Sequence, residues 1–278
     1  MSQAEDQFGN EGPSSQIPFQ QDRPISEPAR TGPAGRLVGT LLSPIETFQD
    51  INRKPTVVVP IVVAMLTAIG LSLFLNWQAK PDWNQIARDV IKRQSERLGT
   101  TPPPDQLEKQ VEVSAKIYQF LPIFYAVFTP IAFLVAAGAL ALGMLLMQAQ
   151  TTFKKILSTF AWIFTSVGLV NAIVAAASLM VRDPQSLRQQ DFFNPWGIAP
   201  TNLSYLLSDS ASQALKTLFT FFDFFSIWKI ALLIVGLVAI AGTRKITTTK
   251  TAVLVIGLWL LIIVINVGLA AAGLGGQQ

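Results

Sequence analysis

The stretch LPIFYAVFTPIAFLVAAGALALGMLLM, residues 121–147, carries no charged side chain from end to end. Wound as an α-helix at about 1.5 Å per residue, it crosses the roughly 30 Å hydrocarbon core of a bilayer. Four further apolar runs, residues 57–77, 156–181, 224–242 and 252–272, are also long enough to cross, the third of these interrupted by Lys229. The expected fold is therefore all-α and polytopic: a bundle of about five transmembrane helices, joined by interfacial and extramembrane amphipathic helices. Pro130 lies inside the run at 121–147 and removes a backbone donor there, so a kink is expected at that point.

Composition agrees with this reading. Of 278 residues, 50% are hydrophobic and 14% charged, where a soluble domain carries about 25% charged residues. The chain has no cysteine and no histidine. Disulfides, thiol nucleophiles, imidazole bases and the usual zinc, haem and iron–sulfur ligands are thereby excluded. No cofactor is expected and no enzymatic activity. The net charge of +4 is spread over membrane-flanking Lys and Arg rather than a phosphate-tracking run, so no nucleic-acid partner is expected.

Residues 1–35 are rich in Gln, Pro, Ser and Gly with few apolar clusters, and read as a disordered tail. The membrane domain then occupies residues 36–274. Its entry is amphipathic. Ser43, Pro44 and Glu46 have the spacing of a capping box, with Ser43 as N-cap, Pro44 at the first helical position and Glu46 reaching back. Ile45, Phe48 and Ile51 mark one apolar side, which suits a short helix in the headgroup region or, alternatively, an ordinary helix packing on its neighbours.

Orientation follows from the basic residues. Arg53 and Lys54 before the first span, Lys154 and Lys155 after the second, and Arg244, Lys245 and Lys250 before the last would share one side. The short-loop rule makes that side cytoplasmic, with the N-terminus inside and the C-terminus outside. The two longer loops fall on the other side. In the first, residues 82–119 read as a helical hairpin broken at Pro102-Pro103-Pro104. In the second, Phe192-Phe193-Asn194-Pro195-Trp196 mixes aromatics with breakers, as an interfacial segment or short re-entrant turn would. From Ser208 or Asp209 to Gly242 one continuous helix is expected.

Polar groups placed inside spans are costly and mark candidate sites. Lys229 lies five residues past Phe224, or about 8 Å into the bilayer. Asp223 borders the same span, while Asn171 and Asn266 lie within the third and fifth. These four either converge on a solute or proton path, or Lys229 snorkels outward and the Asn side chains bond between helices. Gly168, Ala172 and Ala176, and likewise Gly268 and Ala272, place small residues at four-residue spacing. They permit close helix packing within the chain or dimerisation.

Leu41-Leu42-Ser43-Pro44-Ile45-Glu46-Thr47-Phe48, then Arg53-Lys54-Pro55, resembles the entry motif of bacterial Yip-domain proteins, relatives of the eukaryotic Ypt/Rab-GTPase-interacting membrane proteins. Phe153-Lys154-Lys155-Ile156-Leu157, Phe225-Ser226-Ile227-Trp228 and the Arg244-Lys245 turn extend the similarity over residues 37–272. The resemblance implies five spans, a cytoplasmic N-terminus and a role as a non-enzymatic scaffold or interaction protein, in a bacterial plasma membrane and with membrane proteins or further copies as partners. The acidic motif of some eukaryotic N-terminal regions is not evident here, which argues against small-GTPase binding. The rival expectation is a small-solute permease or channel component built on Lys229 and the intramembrane Asn residues.

Overall fold

The computed structural model describes residues 31–100, 102–183, 186–187, 189–208, 210–242 and 246–272. The expected tail over residues 1–30, the Arg244-Lys245 turn and the cap at Asp209 lie outside them. Among the described residues the chain is helical throughout, in the order α1 Pro33–Leu42, α2 Pro44–Arg53, α3 Val58–Ala79, α4 Trp83–Leu98, α5 Pro104–Gln119, α6 Leu121–Leu146, α7 Phe153–Val181, α8 Gln189–Phe193, α9 Gln213–Thr220, α10 Phe224–Ile240 and α11 Thr248–Ala271. Two 3-10 turns, Pro195–Ile198 and Leu203–Leu206, sit between α8 and α9.

Four of these helices, α3, α6, α7 and α11, are long and apolar enough to cross a membrane. The fourth expected span is α10, apolar but only 17 residues long, which gives about 25 Å at helical rise. It is short because both ends are fixed. Asp223 caps its first turn by accepting from Ser226 N at 2.9 Å. Beyond its other end Gly242 adopts φ +69°, a left-handed turn that glycine enters without steric penalty. The helix expected to run unbroken from Ser208 to Gly242 is accordingly two helices. Ser212 caps α9 through Leu215 N, and the chain breaks at 221–223. There Leu203 N donates to Phe222 O and Phe224 N to Thr201 O, so the backbone groups freed by the break are spent on residues 201–203. By contrast α6 remains helical through Pro130.

The central element is α7. Its apolar window is 44% buried, against 11% for α11, and it packs on α1, α2, α3, α6 and α10. Its sequence explains this: Ser158, Thr159, Ala161, Ser166, Gly168 and Ala172 keep it thin enough to be surrounded, whereas α11 and α6 present long aliphatic side chains outward. Trp162, Ile163 and Val167 on α7 are fully buried in the main core with Leu237 and Ile240 of α10.

The small residues divide differently from the sequence expectation. A Cβ at Gly168 or Gly268 would meet nothing within 4 Å, so neither glycine is where helices approach closely. The tight crossings are at Gly236, facing Thr159, Phe48 and Ile163, and at Gly143, facing Leu254.

The outer hairpin is present as α4 against α5, with Ala87, Ile91, Val111 and Ala115 as its small core. Asp82 caps α4 by accepting from Asn84 N and Gln85 N, and Gly99 ends it at φ +62°. Aromatic contacts tie the hairpin to the second long loop. Trp83 lies edge-on to Phe192 at 5.8 Å and Tyr118 edge-on to Phe193 at 4.9 Å. Burial pushes the Tyr118 phenol above its ordinary pKa. The folded state thus favours the protonated phenol, a stabilisation present below about pH 10 and lost as pH rises further. In alkaline titration of tyrosine absorbance, the component missing from Tyr118→Phe is expected to ionise later than free tyrosine. Ionisation at the ordinary pH would show that the α5–loop contact is open.

Candidate functional site

Two polar assemblies stand out, one at each end of the bundle. The end carrying the basic segments is closed by α1 and α2. Three links bring these segments together: Thr56 N donates to Ser158 Oγ at 3.1 Å, Ser158 Oγ donates to Thr56 O at 2.8 Å, and Gln150 N donates to Ala241 O at 2.8 Å. Arg53, Lys54, Lys154 and Lys155 therefore lie at one end of the molecule, as the charge pattern leads one to expect.

Phe48 and Ile51 do not form a lipid-facing side. Both are fully buried in the main core, with Phe48 reaching Gly236 of α10. The apolar residues left exposed near this joint are Val38, Leu42 and Ile45, at 56%, 78% and 58%. The capping box also fails to close. Ser43 precedes α2 and Pro44 takes the first helical position, but Ser43 makes no side-chain cap. Ser43 also ends α1, and its N–H already donates to Gly39 O at 2.8 Å. Glu46 has no free donor there to reach back to.

Beneath this joint is a buried charged network. Arg36 and Asp50 are 2% and 4% exposed and form an ion pair of 2.9 Å, with Arg36 Nε donating to the same carboxylate oxygen at 3.0 Å. Arg36 Nη1 donates to Thr56 Oγ1 at 2.7 Å, Trp162 Nε1 donates to the same hydroxyl at 3.2 Å, and the guanidinium lies 6.0 Å from the Trp162 ring. Sequence reasoning missed this network because Arg36 and Asp50 sit on separate short helices. Only Asp50's place among Thr47, Phe48 and Ile51, all buried on one side of α2, could have signalled it.

At the opposite end, Asn171, Asp223 and Lys229 come together on the wall of a polar cavity of about 160 Å³, joined there by Asp191 and Asn202. Asp223 accepts from Ser226 N, Ser226 Oγ and Thr201 Oγ1. Lys229 Nζ lies 5.1 Å from the Phe164 ring, a cation–π distance. Asn171 is 5% exposed and its Oδ1 has no hydrogen-bond partner among the described residues. Asn266 does not join them. It is half-buried on α11, and its side-chain amide donates to Ile262 O at 2.8 Å within its own helix. Asp191, 3% exposed on α8, belongs to the cavity but was not singled out by the sequence, because it lies between the apolar runs, where an acidic residue is ordinarily solvated.

The fold and these two assemblies define an all-α polytopic membrane protein with a capped basic end and a polar chamber at the other. The family model for the Yip1 domain matches residues 38–269, most of the chain. The chain belongs to the Yip1-domain family. No curated protein and no solved structure matches it.

Proposed function

We propose that the chain is a non-enzymatic scaffold or interaction protein in membrane organisation, seated in a bacterial plasma membrane with its N-terminus in the cytoplasm and its C-terminus outside. The observation that carries this reading is the α1–α2 joint. Val38, Leu42 and Ile45 are exposed apolar side chains held on a helix pair whose other side is fixed by Phe48, Ile51 and the Arg36–Asp50 pair. A preorganised apolar surface beside basic residues suits a membrane-protein partner or a further copy, with the bilayer alongside. Membrane-flanking Arg53, Lys54, Lys154 and Lys155 at the same end support the orientation. A photo-cross-linking residue at Leu42 or Ile45, activated in native membranes, is expected to yield discrete protein adducts. Cross-links to lipid alone would overturn the scaffold reading.

A second reading, a small-solute permease or channel component, draws on the convergence of Asn171, Asp223 and Lys229 around one cavity. Unchanged uptake of every tested solute by Lys229→Ala vesicles would remove its support.

A further inference from the structure

Lys229 stands between the polar chamber and a second space. Lys229 and Trp196 also line a second, largely apolar cavity of about 200 Å³ between α3, α6 and α7. That cavity in turn shares Thr67 and Leu169 with an open apolar groove of about 410 Å³ between α3 and α7. The groove runs along Gly70 and along Ala172 and Ala176, the last two being small residues whose spacing the sequence made conspicuous. Because no close helix contact occupies Gly70 or Gly168, these residues leave room beside α7 rather than bringing a helix onto it.

The three spaces are thus ordered from an apolar opening on the membrane-embedded face, through an apolar cavity, past one ammonium group, into a chamber walled by two carboxylates and an unpartnered amide oxygen. We propose that this is a binding path for one phospholipid whose head carries both a phosphate and a primary ammonium, as in phosphatidylethanolamine.

The chemistry of such a lipid has the same order. An acyl chain fills the groove and the second cavity, where only dispersion and desolvation are needed. The phosphate meets Lys229 at the boundary. Among the described residues that ammonium has no carboxylate within ion-pair distance, and a phosphate supplies a charge-assisted partner. The head ammonium enters the chamber, whose wall carries the carboxylates of Asp191 and Asp223 beside Lys229. Its N–H groups supply the donor that Asn171 Oδ1 lacks. A phosphate alone would face two carboxylates, and a trimethylated head has no N–H to give Asn171. The depth also fits, since Lys229 lies about 8 Å along α10 from Phe224.

The test uses the full chain purified in mild detergent and exchanged into equal mole fractions of phosphatidylethanolamine, phosphatidylcholine and phosphatidylglycerol, with retained lipid read by native mass spectrometry. Phosphatidylethanolamine is expected to be retained about tenfold better than either competitor, and Lys229→Met to weaken it by about tenfold. Asn171→Leu is the second variant, expected to bring phosphatidylethanolamine down to the level of phosphatidylcholine. It carries the test if Lys229→Met does not fold by circular dichroism. Equal retention of the three lipids, or unchanged retention in the folded variants, would overturn the proposal. So would binding of water-soluble O-phosphoethanolamine as tightly as the lipid, because the acyl path would then contribute nothing.

Discussion

Replacing Arg36 with Met is expected to destabilise the protein by about 3–5 kcal/mol, the usual range when one partner of a buried ion pair is removed. The loss comes less from the pair's own attraction than from what is left behind. Asp50 is 4% exposed and would keep Thr31 Oγ1 at 2.9 Å while losing its guanidinium partner. Thr56 Oγ1 would lose the Arg36 donor and retain Trp162 Nε1. A buried carboxylate that loses its guanidinium partner costs more to keep ionised at that depth, which favours taking up a proton or opening the structure to water. The double variant Arg36→Met/Asp50→Leu separates these contributions. If the single variant suffers chiefly from the carboxylate's loss of its guanidinium partner, the double variant recovers a substantial part of the loss, because a buried pair exchanged for apolar groups is often near neutral. Unfolding in mixed micelles with increasing denaturing detergent provides the measurement. A single variant within about 0.5 kcal/mol of the parent would mean that α1 is not docked in the membrane-inserted protein.

That network also shows where reading the chain by itself stops. Apolar runs placed the spans at 57–77, 121–147 and 156–181 within a few residues of α3, α6 and α7, because hydropathy and helix length are local properties that the bilayer enforces. The outer hairpin was equally legible from the periodicity of residues 82–119 and the prolines between its helices. The convergence of Asn171, Asp223 and Lys229 could be raised as one of two outcomes, since the cost of burying polar groups singles them out. What linear spacing could not supply was the partner of each group. Asn266 carries the same chemical signal as Asn171, yet it lies away from the cavity wall and its amide donates to its own helix. The Ser43 capping box was misread for a related reason. The same residue ends one helix and begins the next, and only the structure shows its N–H already committed to Gly39.

The small residues make the same distinction quantitative. Gly236 lies where α10 meets both α7 and α2. A Cβ built there falls 2.6 Å from Thr159 Cγ2 and 3.3 Å from the Phe48 ring. Neither neighbour has room to yield: Thr159 and Phe48 are both fully buried, and the β-branched Thr159 has restricted rotamers on its helix. Gly236→Leu is therefore expected to cost about 1–3 kcal/mol from overpacking alone. Dislodging Phe48 would add to this, because it carries α2 with it. At Gly168 and Gly268 the added methyl meets nothing within 4 Å, and the helix gains an alanine in place of its poorest non-proline former. Gly168→Ala and Gly268→Ala are thus expected to be neutral or stabilising by up to about 1 kcal/mol. The comparison is made by the same detergent-unfolding measurement on all three variants. A Gly236→Leu protein as stable as its parent would mean that α2 does not rest on α10. A marked loss at the exposed Gly268 would instead mean that this glycine meets another helix, which the dimerisation alternative for the small-residue series requires.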